Sequence, residues 1–226
     1  MTILLAIETS TDTASVALDV HGVLLSRELP GTETHSSGIL PAIQSLLAEA
    51  KIILSQCDAI AFGCGPGAFT GVRTACGVAQ GLAYGADLPV VSVVSLLAMA
   101  ESARQDSESA HVVCILDARM NEVYWAHYVY ADHHWQVKIP PSLSSAQHAF
   151  SEAARVAATV VLGKGVSASP AFVNQHVLYA MPGAMSVARL GLRDIQAGLL
   201  LRPEQAEPLY LRNKIALTTA ERQRDK

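Results

Sequence analysis

ILLAIETSTDTASVALDVHGVLLSREL, residues 3–29, decides the fold class. Residues 3–7 (ILLAI) form a short continuous apolar run, which suits a buried strand. Residues 14–20 (ASVALDV) alternate, with Val16 and Leu18 on one face. His21 and Gly22 make a turn, and residues 23–29 (VLLSREL) follow as a third strand. The product is a three-stranded meander whose first connection is the polar loop ETSTDT, residues 8–13.

Working outward, Ile39, Leu40, Ile43, Leu46, Leu47 and Ala50 recur at helical spacing, which predicts a helix over 39–50 with Pro41 in its first turn. A strand then leads into GCGPGAFTG, residues 63–71. A second helix is expected over 70–84, a strand over 88–94 and a helix over 95–103. Composition turns polar over 104–109, and a lobe boundary is placed there. Beyond it come a strand over 112–118, a turn at Arg119, Met120 and Asn121, and a strand over 122–130. A helix over 145–157, a strand over 159–162 and a helix over 186–200 follow. Hairpins alternating with helices indicate an α/β or α+β fold, of which α/β is taken. The lobes are expected at 1–104 and 105–217, with the C-terminal segment free to return to the first lobe. Residues 218–226 are polar and read as a frayed tail. No internal repeat is visible in the sequence.

Composition narrows the function. Half of the 226 residues are hydrophobic, 16% are charged, and the formal net charge is −4. This describes a folded globule. A protein that grips nucleic acid unaided usually carries a basic patch, and no run of Lys or Arg occurs before the tail. Residues 74–100 hold a single charge, Asp87. Gly77, Gly81, Gly85, Asp87 and Pro89 break that stretch into a helix and a strand, so it reads as buried core and not as a membrane span. Met1 and Thr2 lead into an apolar run with no basic start, so no signal peptide is read and a cytoplasmic location is expected. Cys57, Cys64, Cys76 and Cys114 lack metal-type spacing and suit reduced core thiols.

Several segments carry residues suited to chemistry. Glu8, Thr9, Ser10, Thr11 and Asp12 form either a phosphate-wrapping loop or a polar turn. In GPGAFTGVR (65–73), Gly65, Gly67 and Gly71 permit unusual backbone angles, Thr70 is placed to cap a helix, and Arg73 sits one turn in. Anion binding at a helix N-terminus and tight strand-to-helix packing both fit that spacing. Gly77 and Gly81 stand four apart, with Thr70, Thr74 and Gly85 on much the same face. Each glycine costs about 1 kcal/mol relative to alanine inside a helix. The compensation is close packing within the chain or against a partner helix. His133 and His134 read as an exposed hairpin turn. Asp117, Arg119 and Glu122 either bind a ligand or form a local ion pair. HExxH and GxSxG motifs are absent from the sequence.

Five segments together resemble the TsaB family, also called YeaZ: AIETSTDTASVAL (6–18), HSSGILP (35–41), GPGAFTGVRTACGVAQGLAYG (65–85), LDARMNEVYWAHY (116–128) and AEPLYLRN (206–213). They run almost end to end. The resemblance implies the actin-like (ASKHA, ribonuclease H-like) two-lobed fold of sugar kinases and heat-shock ATPases, and kinship with the TsaD transferase. It implies a non-catalytic subunit that joins TsaD as a heterodimer, with the ATPase TsaE, to form N6-threonylcarbamoyladenosine next to the anticodon of tRNAs reading codons that begin with adenosine. TsaD binds its metal through a His-x-x-x-His helix. The matching positions here are Ser95 and Met99, so no metal is expected. No cofactor of its own is expected, ATP or ADP being admissible at the interface of the complex. The partner face is expected to use Ile39, Ile43, Leu46, Leu47, Thr70, Thr74, Gly77 and Gly81. Nucleotide or anion contacts are expected at Glu8, Thr9, Ser10, Thr11, Gly67 and Arg73. A homodimer of the isolated chain and contact with tRNA only through the complex complete the reading. The alternative is a stand-alone nucleotide-dependent transferase or peptidase of the actin-like superfamily.

Overall fold

The computed structural model describes residues 2–29, 35–107, 110–167 and 176–212. The opening meander is β1 (Ile3–Glu8), β2 (Ala14–Val20) and β3 (Val23–Leu29). Helix α1 (His35–Ala50) leads to β4 (Ala59–Gly65), α2 (Phe69–Ala86), β5 (Val90–Val94) and α3 (Ser95–Ser107). The second half holds β6 (His111–Asp117), β7 (Glu122–Ala131), β8 (His134–Ser145), α4 (Ala146–Arg155), β9 (Thr159–Leu162), β10 (Val177–Tyr179) and α5 (Ala184–Gln196).

The first sheet runs β3-β2-β1-β4-β5 and the second, read from its antiparallel edge, β8-β7-β6-β9-β10. In each, a three-stranded antiparallel meander is followed by two strands parallel to its first strand. The chain therefore lays down one five-stranded topology twice, which is the two-lobed actin-like architecture. The sequence shows no repeat because topology is set by strand length and apolar pattern, and many residues satisfy one pattern.

Both faces of each sheet are covered, so β1 reads as a continuous apolar run. Leu5 and Ile7 point to α1 and α2, whereas Leu4 and Ala6 point to α5. The closing helices are exchanged. Leu96, Met99 and Ala103 of α3 pack on the second sheet, and Val187, Ala188 and Leu190 of α5 pack on the first. Residue 104, where the sequence reading places a lobe boundary, lies inside α3, with the strands of one sheet before it in the chain and those of the other after it. Glu101 of α3 fastens the exchange. Its buried carboxylate accepts from Trp135 Nε1 (2.8 Å) on β8 and is bridged by Arg104 and by Arg193 of α5, each at 3.4 Å. Burial alone would raise this carboxyl, but those partners outweigh it and hold the pKa below 4.5.

Several boundaries differ from the sequence reading. Helix α1 starts at His35, so Pro41 lies inside it and removes one internal hydrogen bond. Helix α2 has Ala68 as its N-cap with no side-chain cap, and Thr70 lies within its first turn. Strand β5 begins at Val90, two residues later than expected, and α5 spans Ala184–Gln196 rather than 186–200. The sequence reading sets no bounds for β8 or β10; the hairpin turn read at His133 and His134 implies the former, which already begins at His134. Both are sheet edges with partly exposed residues, where apolar periodicity is weak. The tail over 218–226 lies outside the described residues.

Candidate functional site: a fastened inter-lobe cleft and an open glycine face

The glycine-rich loop is built to admit the loop after β1. Gly65 has φ +100°, a conformation that favours glycine. A Cβ on Gly67 would overlap the Ser10 carbonyl, and one on Gly71 would overlap the Thr9 carbonyl oxygen. The Ala68 amide donates to Ser10 O (2.6 Å), and Thr9 Oγ1 donates to Gly71 O (2.6 Å). Of the two alternatives for this loop, the structure supports tight packing, because backbone from residues 9–10 occupies the space over the start of α2.

This packing divides the residues of the expected anion site. Glu8 and Thr9 are fully buried and do not line the cavity between the two halves. Glu8 Oε1 accepts from the Ser10 amide (2.6 Å), and Oε2 accepts from Ser95 Oγ (2.9 Å). Gly63 lies against the same carboxylate with no room for a Cβ. Ser10 is buried too, with its Oγ lacking a hydrogen-bond partner. Arg73 turns away from the loop. Its guanidinium stacks 3.8 Å from the centroid of the Phe69 ring, and its Nε donates to Tyr210 Oη (2.6 Å). Ser10, Thr11 and Gly67 do line one wall of a cavity of about 460 Å³ between the two halves. Leu116, Asp117 and Lys164 lie across it, and residues 209–212 close one side.

Burial pushes the Glu8 carboxyl above its usual 4.5, outweighing the hydrogen bonds from Ser10 and Ser95. An acid whose folded pKa is raised stabilises the fold below its unfolded value. It loses that contribution as pH rises through the folded value. Wild-type stability is therefore expected to carry a term that falls as pH rises above 4.5, and Glu8→Gln is expected to flatten it. Urea unfolding of both proteins from about pH 4 to about pH 8 measures the difference. Parallel profiles would mean that Glu8 titrates as freely folded as unfolded.

The positions matched to the metal ligands of TsaD are also occupied internally. Ser95 is buried, with Oγ donating to Glu8 and accepting from the Gly65 amide (3.2 Å), and Met99 is wholly inside the core under the second sheet. All four cysteines are buried. Burial pushes Cys57 up to about 11 and Cys64 to about 12, the latter helped by Glu8, and raises Cys76 and Cys114 as well. None is therefore a ready thiolate nucleophile at neutral pH.

The expected partner face divides. Ile39, Ile43 and Leu46 are buried in the core beneath α1, and Leu47 packs against the same cluster. That apolar stripe is the seat of α1 on its own sheet, since a helix beside a sheet directs its 3.6-period stripe inward. On α2 the outcome is different. Thr70, Gly77 and Gly81 are exposed, as is Gly85, and Thr74 is half-buried with Oγ1 donating to Thr70 O (3.0 Å). Among the described residues, a Cβ at Gly77, Gly81 or Gly85 would meet nothing within 4 Å. Close packing among the described residues therefore does not explain these glycines. Tyr84, 80% exposed, stands beside them.

Asp117 and Arg119 form the local pair. Asp117 accepts from the Arg119 amide (2.8 Å) and meets its guanidinium at 3.1 Å. Glu122 instead pairs at 2.7 Å with Arg212, a residue the sequence reading quoted only within a motif. His133 lies in the exposed β7–β8 turn. Among the described residues no group of three or more His, Cys, Asp or Glu side chains is placed to hold a metal, and no helix is long and apolar enough to cross a membrane.

The family model for TsaD, tRNA N6-adenosine threonylcarbamoyltransferase, matches residues 31–180. The tRNA threonylcarbamoyladenosine biosynthesis protein TsaB of Haemophilus influenzae is 37% identical over 94% of each chain. TsaB of Escherichia coli is 33% identical over 94% of this chain and 96% of its own. A crystal structure of a Pseudomonas aeruginosa protein, described as uncharacterized with similarity to the peptidase YEAZ, superposes with a TM-score of 0.82. It is 35% identical and covers 94% of this chain and all of that one.

Proposed function

The chain belongs to the TsaB family, a branch sharing its domain with the TsaD transferase, and from that membership we propose that it serves tRNA threonylcarbamoyladenosine biosynthesis as a non-catalytic partner of a TsaD-type subunit. The observation that carries the partner role is the exposed face of α2. Gly77, Gly81 and Gly85 interrupt a surface helix where nothing among the described residues lies within 4 Å of an added Cβ. Each costs about 1 kcal/mol of helix propensity against alanine. A second helix laid against that face recovers the cost, because missing Cβ atoms let two backbones come close.

The non-catalytic reading is supported by how the equivalent residues are used. Ser95 holds Glu8, Met99 fills core, and the loop after β1 is packed down on the glycine turn. These groups secure the fold and are not free for chemistry. A nucleotide such as ATP or ADP, and the ATPase subunit TsaE, belong in this reading to the assembled complex. Contact with tRNA comes through the complex as well, in keeping with a net charge of −4. In the absence of TsaD the same face pairs two copies of the chain. The site of action is the cytoplasm.

Size-exclusion chromatography of the purified chain with a purified TsaD-type partner tests the reading. Co-elution as a one-to-one complex is expected, with the partner displacing any homodimer. Separate elution at micromolar concentrations of both would sink it.

A further inference from the structure

Two of the motifs quoted from the sequence, DARMNEVY and AEPLYLRN, meet across the mouth of the inter-lobe cavity. We infer that residues 201–212 form a clasp, anchored on the first lobe and latched to the second by Arg212, that fixes the width of that mouth.

The anchoring half is continuous. Leu201 pairs with Val90 at the edge of the first sheet through reciprocal backbone hydrogen bonds of 2.9 Å. Gln80 of α2 donates to Pro203 O (3.0 Å), Cys76 Sγ lies 3.4 Å from Ala206 O, and the Leu209 amide donates to Cys64 O (2.7 Å). Tyr210 closes this half by packing on Phe69, with ring centroids 5.6 Å apart, and by accepting from Arg73. Every contact from 201 to 210 in this series is with the first lobe.

Two residues later the chain engages the other lobe. Arg212 meets the Glu122 carboxylate at 2.7 Å and donates to the carbonyls of Ala118 (3.1 Å) and Arg119 (3.4 Å), with its Nη1 3.1 Å from Met120 Sδ. The turn it grips is a demanding one. Arg119, Met120 and Asn121 all have positive φ, at 63°, 55° and 59°, and none is glycine. Side chains in that region of backbone space cost energy and persist where surrounding contacts hold them. A planar guanidinium satisfying a carboxylate and two carbonyls together supplies such a hold, which a lysine does not reproduce. The cavity is lined by both the clasp and this turn, so releasing the latch lets its walls part.

The four native thiols are buried, so cysteines introduced at the exposed positions Thr70 and Lys138, the latter on β8 away from the gripped turn, can be spin-labelled selectively. Pulsed electron resonance on the full chain then reads the separation of the two lobes. Wild type is expected to give one narrow distance distribution. Arg212→Met, Glu122→Gln and Tyr210→Ala are each expected to shift it to longer distance and broaden it. Arg212→Met combined with Tyr210→Ala should go no further than the larger single effect, because either change undoes the same clasp. Arg155→Met, which removes an exposed pair confined to α4, is the control and should leave the distribution unchanged. A wild-type distribution in both Arg212→Met and Glu122→Gln, in protein with native circular dichroism, would overturn the latch. Additive shifts in the double variant would overturn the single clasp.

Discussion

Cells depleted of this chain are expected to lose N6-threonylcarbamoyladenosine from their tRNA while the TsaD-type subunit remains present. The loss should be reversed by the wild-type chain and not by Gly81→Leu. A partner can set the productive arrangement of a catalytic site without donating a reactive group, by favouring one conformation through differential binding. The glycine variant separates assembly from folding. Position 81 is exposed, and a Cβ there would meet nothing within 4 Å among the described residues, so a single copy of the chain accepts one without overlap. Gly81→Ala is expected to raise its stability by about 0.5 to 1 kcal/mol through helix propensity. Gly81→Leu should fold as well, yet weaken partner binding by about tenfold or more, equivalent to about 1.4 kcal/mol. Mass spectrometry of tRNA nucleosides, thermal unfolding and titration against the partner measure the three quantities. Normal modification after complete depletion would remove the function. Full binding by Gly81→Leu would move the interface elsewhere.

The second large effect is on stability. Gly71→Ala, ten positions before Gly81 on the same helix, is expected to destabilise the chain by about 3 kcal/mol or more. A Cβ there would run into the Thr9 carbonyl oxygen, which is backbone and cannot swing aside. Relieving the overlap moves the β1–β2 loop away from α2. That movement strains the hydrogen bonds from Thr9 Oγ1 to Gly71 O and from Ala68 to Ser10 O. It also disturbs Glu8, whose buried carboxylate depends on Ser10 and Ser95. Urea unfolding of Gly71→Ala beside Gly77→Ala gives the contrast directly, a severe loss in the first and a small gain in the second. Equal stabilities would mean that the loop yields, and that its glycines are not there for close approach.

The sequence alone determined the elements whose burial is periodic. It located β2 and β9 to the residue, because a covered sheet imposes alternation or a full apolar run on its strands, and it located the edge strand β3 from the His21–Gly22 turn that precedes it. It located the glycine turn and the helix after it, because few residues besides glycine tolerate backbone overlap or positive φ. The family motifs carried the two-lobed fold. Tertiary structure alone decided what each marked residue faces. The stripe Ile39, Ile43, Leu46 has the same pattern whether it meets a partner or its own sheet, and it meets its own sheet. Gly71 and Gly81 are the same residue on the same helix, one pressed against a carbonyl and the other open to solvent. Glu8 is polar and follows a strand, which describes a ligand contact and a buried bolt equally well; only its burial and its partners Ser10 and Ser95 separate the two. The exchange of α3 and α5 between sheets, and the grip of Arg212 on Ala118 and Met120, 94 and 92 residues earlier in the chain, leave no local signal. Amphipathic patterning tells a helix to bury one face without saying which sheet will cover it.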